Sequence, residues 1–335
     1  MTQEKIDFVV TWVDGADPVW LSRKKTYLKE KLGVDVGDES VEDGDDRYRD
    51  FGLFKYWFRS IEKYAPWVNK IFLITDRQKP EWLDVNHPKI RWVNHDEFIP
   101  QEYLPTYSSP AIELNFHRIE ELSENFVYFN DDVYLVNPVE PQDFFVNNLP
   151  KHVAIYDAIV PWHPFIKTLY NNMEVLYRHF PTKSALRRSP LKFFSLKYGF
   201  MGILKNLLLL PWKPTGYVEL HIANPVKKST ISKIWELESA TIQKTVESPL
   251  RDYSTGINQY LFRYWEIESN QFEPQSISIG KRIDMNQVDE LAEILRTSRY
   301  NMVCINDTLE FNYENQSKIQ KLLENKFPNK SNFEF

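Results

Sequence analysis

The chain is poor in cysteine and glycine, lacks long apolar runs and has no surplus of positive charge, and each deficit closes off a class of function. Cys304 is the only cysteine in 335 residues, so neither an intrachain disulfide nor a multi-cysteine zinc site can form. Ten glycines leave little material for a glycine-rich phosphate cradle. Neither Gly-x-x-x-x-Gly-Lys-Ser/Thr nor Gly-x-Gly-x-x-Gly occurs, and a Gly-x-Ser-x-Gly elbow and a His-Glu-x-x-His helix are missing too. Any phosphate must therefore be held by side chains and metal. With no run of about 18 apolar residues, no membrane-spanning helix is expected. The opening Met-Thr-Gln-Glu-Lys has no basic and apolar leader, so the expected location is the cytoplasm, at the inner face of the cell membrane. The 47 acidic and 41 basic residues give a net charge of −6. That argues against a general nucleic-acid binder, whose affinity comes from a basic face, but leaves room for a locally positive pocket.

What is present is a foldable chain, 42% hydrophobic and 26% charged, without the composition of a disordered one. Aromatics reach 15%; they stack on pyranose rings in sugar-handling proteins and are also ordinary core. Ile6–Trp12, Lys70–Thr75, Lys89–Val93 and Phe126–Phe129 are short β-branched and aromatic runs, the pattern of buried strands. Leu53–Tyr64 repeats apolar residues at helical spacing, and Ala111–Leu122 and 255–267 also read as helices. Strands alternating with helices predict an α/β fold: a mostly parallel sheet flanked by helices on both faces. The second half is helix-rich and less regular. One catalytic domain is expected over 1–315, with a helix-rich insertion at about 160–215, then a polar helix and frayed tail at 316–335. Leu186–Trp212 reads either as an amphipathic surface touching membrane or as buried helices, the latter preferred.

Ligands in such sheets sit beyond the carboxyl ends of the strands, where the sequence puts Asp14 and the triplet Asn130-Asp131-Asp132. Adjacent carboxylates can hold a hard divalent cation, although turns use the same residues for backbone hydrogen bonds. Arg47, Arg49 and Asp50 cluster before the amphipathic helix; Arg can grip phosphate through two hydrogen bonds and Asp can accept a proton. His117, Arg118, His221, Arg251 and the Asn258-Gln259 pair complete the polar set. None of these spacings is diagnostic by chemistry alone.

Taken together, the motifs resemble the Stealth proteins. IDFVVTWVDGADPVW is similar to their first block. RYRDFGLFKYWFRSIEKYAPWVNKIFLIT and LPTYSSPAIELNFHRIEELSENFVYFNDDVYL resemble the long second block, HIANPVKKS the third and RDYSTGINQYLFRYW the fourth. The resemblance spans roughly residues 5–270. It implies a UDP-sugar donor, a phosphodiester product, UMP as by-product and a divalent metal, Mg²⁺ or Mn²⁺. It implies a fold of nucleotide-sugar-transferase type and a glycan acceptor on a growing surface polysaccharide. The Leu-rich stretch adds a lipid-linked acceptor and peripheral membrane contact, no nucleic acid is expected from the charge, and the oligomeric state is left open. Matched position by position, Asp50, His221, Arg47 and Arg251 are catalytic. Asp14, His117, Arg118, Asn130 and Gln259 bind substrate, and Asp131 and Asp132 bind metal. Many members have an acidic residue where this chain has Gly256. Two rivals remain at this point: a metal-dependent glycosyltransferase, which would release UDP, and a catalytically inert polysaccharide-binding protein.

Overall fold

The computed structural model describes residues 4–33, 35, 48–213, 216–307 and 312–335. Its centre is a five-stranded sheet. β1 (Ile6–Thr11), β2 (Ile71–Thr75), β3 (Ile90–Asn94) and β4 (Asn125–Asn130) are parallel, and the strand Asn224–Lys227 closes one edge antiparallel to β4. Apart from Asn224–Lys227, each is a run read from the sequence to within a residue or two. The spatial order runs Asn224–Lys227, β4, β1, β2, β3, so the winding reverses between β1 and β4. Such a reversal opens a crevice beyond the carboxyl ends of the two strands.

Alternation along β1 sends Phe8 and Val10 to one apolar cluster and Val9 to the other, as a period of two requires when both faces are covered. After α1 (Pro18–Tyr27), α2 (Phe54–Tyr64) lies on one face, and its Trp57, Phe58 and Ile61 are fully buried. On the other lie the helices Lys228–Val246 and Tyr260–Glu268. Ile166–His179, Ser184–Arg188 and Pro190–Phe193 extend that second cluster through Met173, Leu176, Ala185 and Phe193.

A second sheet was not foreseen. Gly280–Asp284 runs parallel to Met302–Asn306, which pairs antiparallel with β5 (Val133–Leu135). The chain thus leaves the main sheet at Asn130 and enters the second at Val133, with Asp131 and Asp132 as the joint.

Two expectations change. The stretch 111–122 is not one helix: it is Ser109–Glu113 followed by a 3₁₀ turn, Phe116–Arg118. Asn115 is the reason, because its side chain donates to Ala111 O and accepts from Arg118 Nε, offering the backbone a local alternative. Nor is the tail frayed. Phe333 is buried against Phe58, and Arg59 holds Glu334 through two hydrogen bonds of 2.9 Å.

Candidate active site

The register of the two central strands builds the site. Thr11 of β1 lies directly beside Asn130 of β4, so the residues that follow, Trp12–Asp14 and Asp131–Asp132, emerge together at one edge. A cleft of about 430 Å³ opens there. Asp50, Asn130, Asp131, Asp132, His221, Arg251 and Gln259 line it. Seven of the residues singled out in the sequence, separated by up to 209 positions, therefore share one wall system. Asp14 sits close enough to raise the Asp50 carboxyl electrostatically, and its own backbone N–H donates to Gln78 at 3.1 Å. Gly15 makes that approach feasible: a Cβ there would come 2.5 Å from the Tyr48 carbonyl, which instead accepts the Gly15 N–H at 2.8 Å. Arg47 lies outside the described residues; Arg49, two positions on, lines the cleft and pairs with Asp307 at 3.3 Å.

His117 and Arg118 are elsewhere. They pack on Trp235, with the Arg118 guanidinium 4.8 Å from the ring centre and the His117 ring 5.7 Å away. Burial, with Arg118 adding to it, holds the His117 imidazole down to about 4, so it is neutral. Neither lines the cleft.

Negative charge is concentrated at the joint between the sheets. Burial pushes Asp131 well above the ordinary carboxyl value, and the charges of Asp132 and Asp50 push it further. Asp50 is raised as well, by loss of solvent in the cleft mouth and then by Asp14, although its outer face stays open. Asp132 Oδ2 accepts from the Cys304 thiol at 3.2 Å, while its Oδ1 is buried without a hydrogen-bond partner. An orphaned carboxylate oxygen is costly unless something cationic completes it. Asp132, His221 and Cys304 bring one ligand atom each to within 4.8 Å of one another. These residues fit a divalent cation. The Cys304 thiol, held far above its usual value by burial and by Asp132, stays protonated as it stands, leaving the Asp132 carboxylate as the ready donor.

His221 is held in a backbone conformation that non-glycine residues rarely adopt, φ +51°. Strain of this kind persists only where the surroundings enforce it. Here Tyr260 OH meets Nδ1 at 2.8 Å. Burial lowers the imidazole pKa, against the pull of Asp132, so the ring is neutral at neutral pH. Arg251 donates to Ser109 Oγ at 2.8 Å with the cleft on its open side.

Sequence reasoning missed Glu113. It is buried at the end of α3 (Ser109–Glu113), accepts from the Gln259 N–H at 3.2 Å and bonds Tyr128 OH at 3.3 Å. Burial pushes its carboxyl up to about 7, against Gln259, Arg251 and Tyr128. The available signal was a lone acid inside the apolar run Ala-Ile-Glu-Leu. Gly256 fits this picture: its backbone N–H donates to Asp252 O at 2.8 Å, and that carbonyl occupies the space a Cβ would need. A larger side chain has no room in this turn, while Glu113 and Asp252 put carboxylates on the same cleft.

Glu113 makes stability pH-dependent with a defined sign. Its folded pKa lies above that of an unfolded glutamate, so the folded state holds the extra proton between pH about 4.5 and about 7 and loses stability as pH rises through that window. Glu113→Gln should remove about 3 kcal/mol of that decline, from about 2.5 pH units at 1.36 kcal/mol each. Glu219, also pushed up to about 7 by burial, contributes a similar slope that remains. Urea unfolding at a series of pH values reads both; an unchanged slope in the variant would refute the assignment.

A cleft at the winding reversal of a parallel sheet, lined by carboxylates, arginine and histidine, is the place where such a fold binds its ligands. The chain belongs to the Stealth family and is an enzyme of the phosphotransferase class. Residues 4–31 match the model of Stealth protein conserved region 1, and residues 47–153 that of conserved region 2. The capsular polysaccharide phosphotransferase WcwK of Streptococcus pneumoniae is 41% identical over 331 residues, 98% of each chain. The receptor polysaccharide phosphotransferase WefC of Streptococcus oralis is 40% identical over 338 residues, 98% of this chain and 99% of its own. The capsular polysaccharide phosphotransferase CpsJ of Streptococcus thermophilus is 56% identical over 203 residues, 61% of this chain and 83% of its own. Among the described residues no helix is long and apolar enough to cross a membrane.

Proposed function

We propose that this enzyme moves a hexose 1-phosphate or N-acetylhexosamine 1-phosphate from a UDP-sugar to a hydroxyl of a growing surface polysaccharide, releasing UMP. The observation that carries the reading is the cleft itself, which opposes Arg251 and His221 to Asp50, Asp131 and Asp132 at the crevice where such sheets hold nucleotides. Relatives named as polysaccharide phosphotransferases along the whole length support the acceptor class.

In this reading the acceptor oxygen attacks the phosphorus that carries the sugar, and the bond from that phosphorus to the UMP oxygen breaks in line. The hydroxyl proton goes to His221. In the tautomer whose Nδ1–H donates to Tyr260 OH, Nε2 keeps its lone pair, and a neutral imidazole is the form a base requires. Asp50, the other candidate base, lines the same cleft. Arg251 and Arg47 neutralise the diphosphate, and Gln259, Asn130 and Asp14 position the donor. Mg²⁺ or Mn²⁺, held by Asp131 and Asp132, would supply charge neutralisation at the leaving phosphate. His117 and Arg118, packed on Trp235 away from the cleft, serve binding through the position of α3 and the strand after it. The catalytic unit is the sheet with its helices to about residue 315, and the acceptor is lipid-linked.

The deciding experiment identifies the nucleotide released from UDP-sugars with Mn²⁺ and an oligosaccharide acceptor. UMP, with the donor's sugar-bearing phosphorus found in the glycan, is expected. UDP would mean that the sugar–oxygen bond breaks instead and the enzyme is a glycosyltransferase.

A further inference from the structure

Between Glu174 and Glu219 the sequence has no acidic residue and eight Lys and Arg. Against a chain total of −6, the remainder carries −14, so charge is sharply segregated. The helix Gly199–Leu208 within this stretch is packed the wrong way round for a soluble protein. It buries Gly202 and Asn206, the latter donating to Ala154 O and Phe193 O. A Cβ at Gly202 would come 2.6 Å from Ile155 Cδ1, so this close seating is built in. The apolar side chains are turned out: Leu191, Leu196, Phe200, Met201, Leu208 and Trp212 are each between 62% and 89% exposed. Single exposed apolar residues are ordinary, whereas a contiguous set with a basic rim marks an interface. The preference for buried helices here thus holds for Phe193 and Tyr198 but not for the outward apolar face.

We infer that residues 187–213 dock on an anionic membrane surface, with Phe200, Met201, Leu208 and Trp212 entering the headgroup region and the basic rim contacting lipid phosphates. Lys192 and Lys205 have carboxylate partners in Glu273 and Asp157. Arg188 and Lys197 donate to backbone carbonyls instead, and Arg187, Arg188, Lys197 and Lys213 are exposed. A second copy of the chain fits the patch poorly, because a two-fold contact would set this basic surface against itself. A groove of about 690 Å³ gives the docking a purpose. It runs from Met201 and Leu208 past Leu220, the neighbour of His221, to Lys281 and Arg282, and the charge of Arg282 reaches His221. The inference thus rests on and deepens the lipid-linked acceptor of the proposed function: an apolar tail would lie in this groove, beside the docking face.

The test is vesicle flotation of the intact protein, with phosphatidylcholine alone and with phosphatidylglycerol added. The wild type should float with the anionic vesicles at low salt and lose binding in phosphatidylcholine or high salt. Phe200→Ser/Met201→Ser/Leu208→Ser should bind at least about tenfold more weakly with an unchanged melting temperature. Arg187→Glu/Lys197→Glu, which leaves the apolar residues in place, should weaken binding similarly. A wild type that stays unbound, variants that float like it, or a dimer dispersed by the serine variant would each overturn the inference. Vesicle binding needs no donor, so UDP release in the nucleotide assay would leave this result standing while overturning the reaction.

Discussion

Asp132→Asn should lower kcat/KM for sugar-phosphate transfer by about a thousandfold while the protein stays folded, the scale expected when charge stabilisation at a transferring group is lost. The substitution is conservative in shape. An asparagine Oδ1 can still accept from the Cys304 thiol, and the Asp132 carbonyl that accepts the Ile305 N–H at 2.9 Å is untouched. What disappears is the negative charge and the buried oxygen that has no hydrogen-bond partner. Circular dichroism melting should therefore match the wild type, and raising Mn²⁺ should recover little activity. A variant within about fivefold of wild type would remove Asp132 from the centre of the site. Its neighbour predicts a second signature. With one carboxylate of the group neutralised, the charge that raises Asp131 weakens, so Asp131 should ionise at lower pH in the variant.

The second large effect is structural and far from the cleft. Arg59→Met should cost about 3–5 kcal/mol of unfolding free energy, the usual result of leaving one buried charge without its partner. Arg59 and Glu334 keep 8% and 3% of their side-chain surface, and the third guanidinium nitrogen donates to Phe327 O at 2.9 Å. Glu334→Gln should lose a comparable amount. The double variant should lose less than the two together, because no orphaned charge remains. Burial works against the Glu334 carboxylate, but its Arg59 bonds prevail and hold its pKa below the ordinary glutamate value. This contribution is therefore full above pH about 4.5 and is lost as pH falls through the lowered folded value. Guanidinium unfolding of the four proteins measures it, and a loss under about 1 kcal/mol in Arg59→Met would show the pair to be incidental.

The strands of the central sheet and α2 were legible because each is a local signal: a β-branched run of five or six, or an apolar stripe at helical spacing. The expected crevice followed from those alone, since Asp14, Asn130 and Asp131 come directly after strand ends. What was not legible depends on contacts distant in sequence. Glu113 reads as an ordinary helical acid until the Gln259 backbone, 146 positions on, donates to it. Cys304 counted only as the lone cysteine, yet the second sheet sets it against Asp132, 172 residues earlier. That sheet lies largely beyond the stretch resembling other Stealth proteins, and Gly-Lys-Arg-Ile-Asp carries too weak an alternation to announce a strand. The basic, leucine-rich stretch around residue 200 was ambiguous for a physical reason. Helical periodicity shows that a helix has an apolar face, but it cannot say whether that face meets protein or lipid.

The joint at Asp131 and Asp132 gives the molecule a mechanical property. The chain crosses from one hydrogen-bonded sheet to the other through a single pair of residues, and the same pair lines the cleft. In the proposed reading, a cation and diphosphate held there would act as a rivet through the seam, tightening one sheet on the other. Occupancy of the cleft should thus be felt as stiffness along Met302–Asn306, a strand that contributes little of its own chemistry and much of the frame.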